Sequence, residues 1–227
     1  MATNPSHFDI EAARSIRSGE SRLLREVRPK EPWLDLGSFD TYDQDALDFV
    51  LADLDDIAGI EIGFRSLSTG AAHALAKLSV EFCYLSNLER LDESVASILA
   101  NWKQGSLSVL DVVVQEPISV TTARTLVGAL GKVTIALSLP SMDAVLAKAL
   151  SAHQGALKVR LRGEQLSTGA ATHLSRHRGW GLTIDLDMGV TEESRLALAS
   201  NPMKSLSLPV KTGGWTVASL TDLALRG

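Results

Sequence analysis

One hexapeptide occurs twice in this chain and constrains its fold more than any other feature. Leu-Ser-Thr-Gly-Ala-Ala stands at Leu67–Ala72 and again at Leu166–Ala171, 99 residues apart. Each copy follows a short alternating apolar run, Ile60 and Ile62 in one case, Val159 and Leu161 in the other. Each leads into an Ala/Leu-rich segment of helical character. A smaller period fills the gap. Apolar-x-apolar pairs fall at Leu34/Leu36, Ile60/Ile62, Phe82/Tyr84, Leu110/Val112, Ile135/Leu137, Val159/Leu161, Ile184/Leu186 and Leu206/Leu208, in steps of 26, 22, 28, 25, 24, 25 and 22 residues. At the third position an alternative pair, Val80/Phe82, fits about as well.

Each unit has one order: a strand of period two, a turn rich in Gly, Ser, Thr or Asp, then a helix. The helices expected on this pattern include Thr69–Leu78, Thr121–Leu130, Asp143–Leu150 and Glu192–Ala199. Ser or Thr ahead of them suits a helix N-terminus, because the hydroxyl accepts from an otherwise orphaned backbone N–H. One strand and one helix cannot bury their apolar sides alone. Stacked units can, and a helical crossover is the ordinary link between parallel strands. The expected fold is an α/β solenoid of about eight strand–helix repeats over residues 32–227. Residues 1–31 read as a helical cap or a flexible tail, with Phe8, Ile10, Ala13, Ile16, Leu23 and Leu24 as an amphipathic stripe interrupted near Gly19. Trp215–Leu225 reads as a last helix closing the array.

Gly70-Ala71-Ala72-His73-Ala74-Leu75-Ala76 resembles the Gly-Ala-x-x-Leu-Ala segment of bacterial leucine-rich repeats, notably the GALA-type repeats of plant-pathogen effectors. Ala197-Leu198-Ala199-Ser200-Asn201, followed by Leu206 and Leu208, is similar to the same family's junction between helix and next strand, as is Ile98-Leu99-Ala100-Asn101. The resemblance implies a horseshoe-shaped leucine-rich-repeat solenoid that binds proteins, and it suggests a bacterial effector acting on a host protein. The chain departs from the family where a row of Asn normally joins neighbouring turns. Phe64, Ser138 and Asp187 stand there instead, so the turns must be held by other means. Residues 1–31 hold no segment identifiable as an F-box, and the ubiquitin-ligase role of some repeat effectors does not carry over.

Bulk properties narrow the function classes. With 45% hydrophobic and 22% charged residues the chain can bury a core. A net charge of −5 argues against nucleic acid as the main partner, since phosphate binding needs a dense basic surface. The lone cysteine, Cys83, rules out an internal disulfide. Met1–His7 does not read as a cleaved secretion signal, and no stretch is apolar enough to span a bilayer. A cytoplasmic protein is expected, with export from a bacterium into a host cell without a cleaved signal as the alternative.

No site for chemistry stands out. Cys83 lacks a local partner that would lower its pKa, so packing is preferred to a thiol-dependent enzyme. His173 and His177 are four apart on an expected helix and share a face. Without a Glu beside the first, and with Arg176 and Arg178 adjacent, they read as a solvated face rather than a zinc site. Asp53, Asp55 and Asp56 lack the spacing of a calcium loop. No cofactor and no metal is expected. The strand residues between the inward ones are more informative: Asp35, Glu61, Cys83, Asp111, Ala136, Arg160, Asp185 and Ser207 should line a concave face. Lys158, Arg160 and Arg162 make one strand basic, and Asp185 and Asp187 answer on the next. The candidate binding residues are therefore Asp35, Glu61, Asp111, Lys158, Arg160, Arg162, Asp185 and Asp187, and the expected partner is a protein. Pairs Arg160–Asp185 and Arg162–Asp187 across adjacent strands would account for some of this charge. An intracellular adaptor or a toxin-neutralising protein fits the same residues.

Overall fold

A computed structural model describes residues 7–18, 24–28, 31–52, 54, 57–102, 107–188, 190–200 and 206–207 of the 227-residue chain. Asp53, Asp55, Asp56 and the expected closing helix Trp215–Leu225 lie outside the described residues. The chain divides into two units, Met1–Gln115 and Glu116–Gly227. In both, parallel strands alternate with helices in a repeating, solenoid-like α/β arrangement.

The first unit contains β1 (His7–Phe8), α1 (Ile10–Arg17), β2 (Leu24–Arg28), β3 (Glu31–Leu36), β4 (Thr41–Tyr42), α2 (Gln44–Leu51), β5 (Gly59–Ile62), α3 (Thr69–Ala76), β6 (Phe82–Leu88), α4 (Glu93–Ala100) and β7 (Val109–Val114). Strands β3, β5, β6 and β7 pair in that order, all parallel. Each joins the one before it through a helix or helical turn, so chain order is sheet order, as stacking of single units requires. β2 departs from this by pairing antiparallel with β3. Two in-register rows make the core side: Leu34, Ile60, Cys83 and Leu110, then Leu36, Ile62, Leu85 and Val112. All eight are buried.

Cys83 in that row corrects the expected phase of the third unit. Phe82 and Tyr84 are half-buried on the opposite face, while Cys83 and Leu85 are inward. The bulk of the two aromatic rings favoured the wrong phase on sequence. The period-two pleat allows no compromise between phases, because a slip of one residue turns every side chain over.

The expected amphipathic stripe near the start is not one helix. α1 ends at Arg17, with the Ser18 N–H on Arg14 O, and Leu24 begins a strand. Gly19 comes next in the sequence, and glycine inside a helix costs about 1 kcal/mol relative to alanine. α1 buries Ala13 and Ile16 and packs beside α2. Phe8 is wholly buried, edge-on to Phe39 at 5.2 Å and 6.4 Å from Phe64. Leu23 lies outside the described residues.

The second unit contains α5 (Val120–Ala129), β8 (Thr134–Leu139), α6 (Ala144–Leu150), β9 (Ala156–Leu161), α7 (Thr168–Leu174), β10 (Gly181–Leu186), α8 (Glu192–Ala199) and β11 (Leu206–Ser207). Its four strands are parallel and sequential. Ile135, Leu157 and Leu182 form one inward row, Leu137, Val159 and Ile184 the next, and Leu139, Leu161 and Leu186 the last. The apolar pairs therefore mark the correct face but not the correct rows. Ile135 pairs with Leu157 rather than Val159, and Leu206 with Leu182 rather than Ile184.

Helix starts follow the expected chemistry. Side chains of Asp9, Ser68, Ser119, Asp143, Ser167 and Thr191 each accept from the backbone N–H three residues on. Each such cap contributes about 1 kcal/mol.

Side chains other than Asn join neighbouring repeats. Trp102 Nε1 donates to Leu78 O at 3.1 Å, and Ser86 Oγ donates to Ile62 O at 3.2 Å, both 24 residues back. In the second unit the ring of His153 faces Val133 O at 2.7 Å and Val127 O at 3.5 Å. His177 faces Gly181 O at 3.1 Å and Ser151 O at 3.4 Å. Ser194 Oγ donates to Leu166 O at 2.8 Å. The two histidines belong to a repeated His-x-Gly. A Cβ at Gly155 would lie 2.3 Å from Val133 O, and one at Gly179 would lie 2.0 Å from Gly155 O. Glycine lets successive backbones approach closely enough for the rings to reach across.

Candidate functional site

The strand face turned away from the core in the first unit carries two rows. Trp33, Gly59, Phe82 and Val109 form one; Asp35, Glu61, Tyr84 and Asp111 form the other. Backbone register alone brings Asp35, Glu61 and Asp111 together, though they are far apart in sequence. They differ in what they can offer. Asp35 is 6% exposed, and its Oδ1 accepts from Gly37 N at 2.8 Å, so it chiefly holds its own turn. Glu61 and Asp111 are half-exposed on either side of Tyr84. The Tyr84 hydroxyl is pushed above its ordinary value, first by burial, then by the charges of Asp111 and Glu61. An added positive charge here would be attracted by both carboxylates.

The aromatic members of this face were missed on sequence. Trp33 lies over Gly59, where a Cβ would be 2.3 Å from Trp33 Cζ3. Its ring centroid is 6.0 Å from that of Phe82 and 5.5 Å from that of Tyr84. All three aromatics are half-buried. The available signal was the pair Cys83/Leu85, the other period-two phase of the same strand, together with Trp33 one residue before an inward leucine.

In the second unit the corresponding face is charged. Lys158 and Arg160 are exposed on β9, with Ala136 and Ser138 opposite them on β8 and Thr183 and Asp185 on β10. Arg160 is paired with Asp185 on β10 and with Asp187 just beyond its end: Nη2 is 3.3 Å from Asp187 Oδ1 and Nε 3.8 Å from Asp185 Oδ2. The expected one-to-one pairing of Arg160–Asp185 and Arg162–Asp187 is thus replaced by a fork centred on Arg160. Arg162 is half-buried and its backbone N–H donates to Leu139 O at 2.9 Å. Ala136 lies on the face as expected but is only 8% exposed, and the side chain of Ser207 is outside the described residues.

Two further candidates are placed by the structure. Cys83 is fully buried, not on the outward strand face, and burial together with the charge of Asp111 pushes its thiol far up, which keeps it protonated. The pair His173 and His177 does not share a helical face, because α7 ends at Leu174. His177 is wholly buried against backbone carbonyls rather than solvated. Desolvation lowers its pKa more than those carbonyls raise it, and nearby His153 lowers it further. Among the described residues no group of three or more His, Cys, Asp or Glu side chains could hold a metal ion. Among them, too, no helix is long and apolar enough to cross a membrane.

Compared with known proteins, the chain matches no family model and no curated sequence.

Proposed function

We propose that the chain is a protein-binding module of the leucine-rich-repeat type that engages its partner through the outward strand faces of its units. The observation that carries this reading is the fork of Arg160 on Asp185 and Asp187, beside exposed Lys158. Three charged side chains, from β9, β10 and the turn after β10, are tied together by ion pairs on the outward side of the sheet. Exposed pairs of this kind contribute only about 0–1 kcal/mol to stability. Their value lies in orienting a partner, because charge complementarity acts on association rate and specificity. In this reading α1 is part of an N-terminal cap that keeps water from the first repeat. A bacterial effector acting on a host protein, an intracellular adaptor and a toxin-neutralising protein are the roles this module would serve.

The test uses the whole chain as bait in a lysate, followed by affinity measurement with the captured protein. Arg160→Glu is compared with Arg176→Glu, a change at an exposed position in the turn after α7. Circular dichroism establishes first that both variants are folded. Weaker binding for Arg160→Glu alone is the expected result. Equal loss at both positions, or loss only at Arg176, overturns the proposal.

A further inference from the structure

We propose that the outward face of the first unit is a receptor for arginine side chains of an extended basic peptide, with Trp33 as the stacking surface and Glu61 and Asp111 as the anionic partners. The inference rests on the reading of the strand faces as protein-binding surfaces and names the chemistry one of them selects.

Three observations converge on a planar cation. The first is the aromatic platform. Trp33 is laid on Gly59 and is half-buried, so part of its ring remains open to solvent. The Phe82 and Tyr84 rings are tilted 30° and 45° to it, at 6.0 and 5.5 Å. Rings at these angles spread into a shallow surface; they do not box in a ligand as a trimethylammonium cage does. A guanidinium is flat and weakly hydrated and stacks on such a surface, with tryptophan the strongest ring for a cation.

The second observation is charge. Glu61 and Asp111 flank Tyr84 in the adjacent cross-strand row, one step along the strands from Trp33 and Phe82. Their charges already raise the Tyr84 hydroxyl, which shows that they act on this patch. A carboxylate accepts two parallel N–H bonds from a guanidinium, a geometry an ammonium cannot match.

The third is spacing. Strands lie about 4.8 Å apart, which puts Glu61 and Asp111 about 10 Å apart. That is the reach of about three extended residues. An extended segment crossing the strands can therefore place one arginine near each carboxylate, with the stem of one lying over the aromatic row.

The probes are hexa-arginine and hexalysine, equal in charge and length, titrated against the full chain by calorimetry at about 150 mM salt, where long-range attraction is screened. Hexa-arginine should bind about tenfold more tightly than hexalysine, the stacking and forked bonds being worth about 1–2 kcal/mol. Trp33→Leu should weaken hexa-arginine about tenfold, and so should Glu61→Gln with Asp111→Asn. Asp185→Asn with Asp187→Asn, which alters none of the residues of the proposed site, should leave its affinity within about twofold at this salt. Equal affinities for the two peptides, no binding of hexa-arginine, or full binding by the Glu61/Asp111 double variant overturns the proposal. If Trp33→Leu fails to fold, the peptide ratio and the double variant decide. A partner that responds to Arg160→Glu while hexa-arginine does not bind leaves the proposed function standing without this inference. Hexa-arginine binding with no partner responding at Arg160 does the reverse.

Discussion

Both ring nitrogens of His177 face carbonyl oxygens, yet a neutral imidazole carries one N–H. A second proton would satisfy the other carbonyl, but burial opposes it and the His153 ring, stacked 6.4 Å away, opposes it further. The result is a folded pKa below the ordinary 6.5. The unfolded chain therefore takes up the proton first as pH falls. The stabilisation His177 provides is complete above about 6.5 and is lost as pH falls from there towards the lowered folded value. His177→Asn should destabilise by about 1–3 kcal/mol at pH 8, through loss of the ring's contacts with Ser151 O of the preceding repeat and Gly181 O of the following strand. Thermal melts should show the gap in Tm narrowing at pH 5, because only the wild type suffers from acid at this position. A gap that stays constant with pH overturns the assignment. The His-x-Gly repeat was in plain view in the sequence as His153-Gln154-Gly155 and His177-Arg178-Gly179. Its role was not legible there, because a histidine's role depends on what its ring reaches, and these rings reach back to carbonyls of the preceding repeat, Val127 O and Val133 O for His153 and Ser151 O for His177.

At the scale of the element, β6 offers the sharpest test. Tyr84 and Leu85 are neighbours in sequence and face opposite sides of the sheet, half-buried and 1% exposed respectively. Leu85→Thr should cost about 2–4 kcal/mol, from the cavity it leaves and the hydroxyl it buries. Tyr84→Thr should cost less than about 1 kcal/mol, since threonine suits an exposed strand position. Urea denaturation of the two variants measures both. The reverse order would restore the Phe82/Tyr84 inward phase that hydrophobicity alone suggested. The same flip removes Cys83 from the outward strand face and adds Tyr84 and Phe82 to it. One residue of register thus decides both the core and the surface of this strand.

For the whole molecule, charge sets the kinetics of encounter. A chain of net charge −5 whose first unit displays Glu61 and Asp111 on its outward strand face would draw a basic partner before contact. Stopped-flow association with the captured partner should slow by about tenfold or more between about 50 and 300 mM salt, with dissociation changing much less. An association rate indifferent to salt would place the partner on an uncharged surface and remove both strand faces from consideration.

What the amino-acid sequence determined by itself was whatever depends on local chemistry: helix starts at Ser68, Ser119 and Ser167, the alternation within strands, and the repeat that makes the fold a stack of parallel strand–helix units. These follow from hydrogen bonds three residues apart and from a pleat of period two. What the tertiary structure decided was everything set by the neighbour. It chose the phase of β6 by offering Ile60 and Leu110 as partners for Cys83. It slid Ile135 onto Leu157, and it gave Arg160 two acids instead of one. It also laid Trp33 over Gly59. Each outcome depends on side-chain volume and reach across a gap of about 4.8 Å between strands, a distance that is fixed only when both strands are in place.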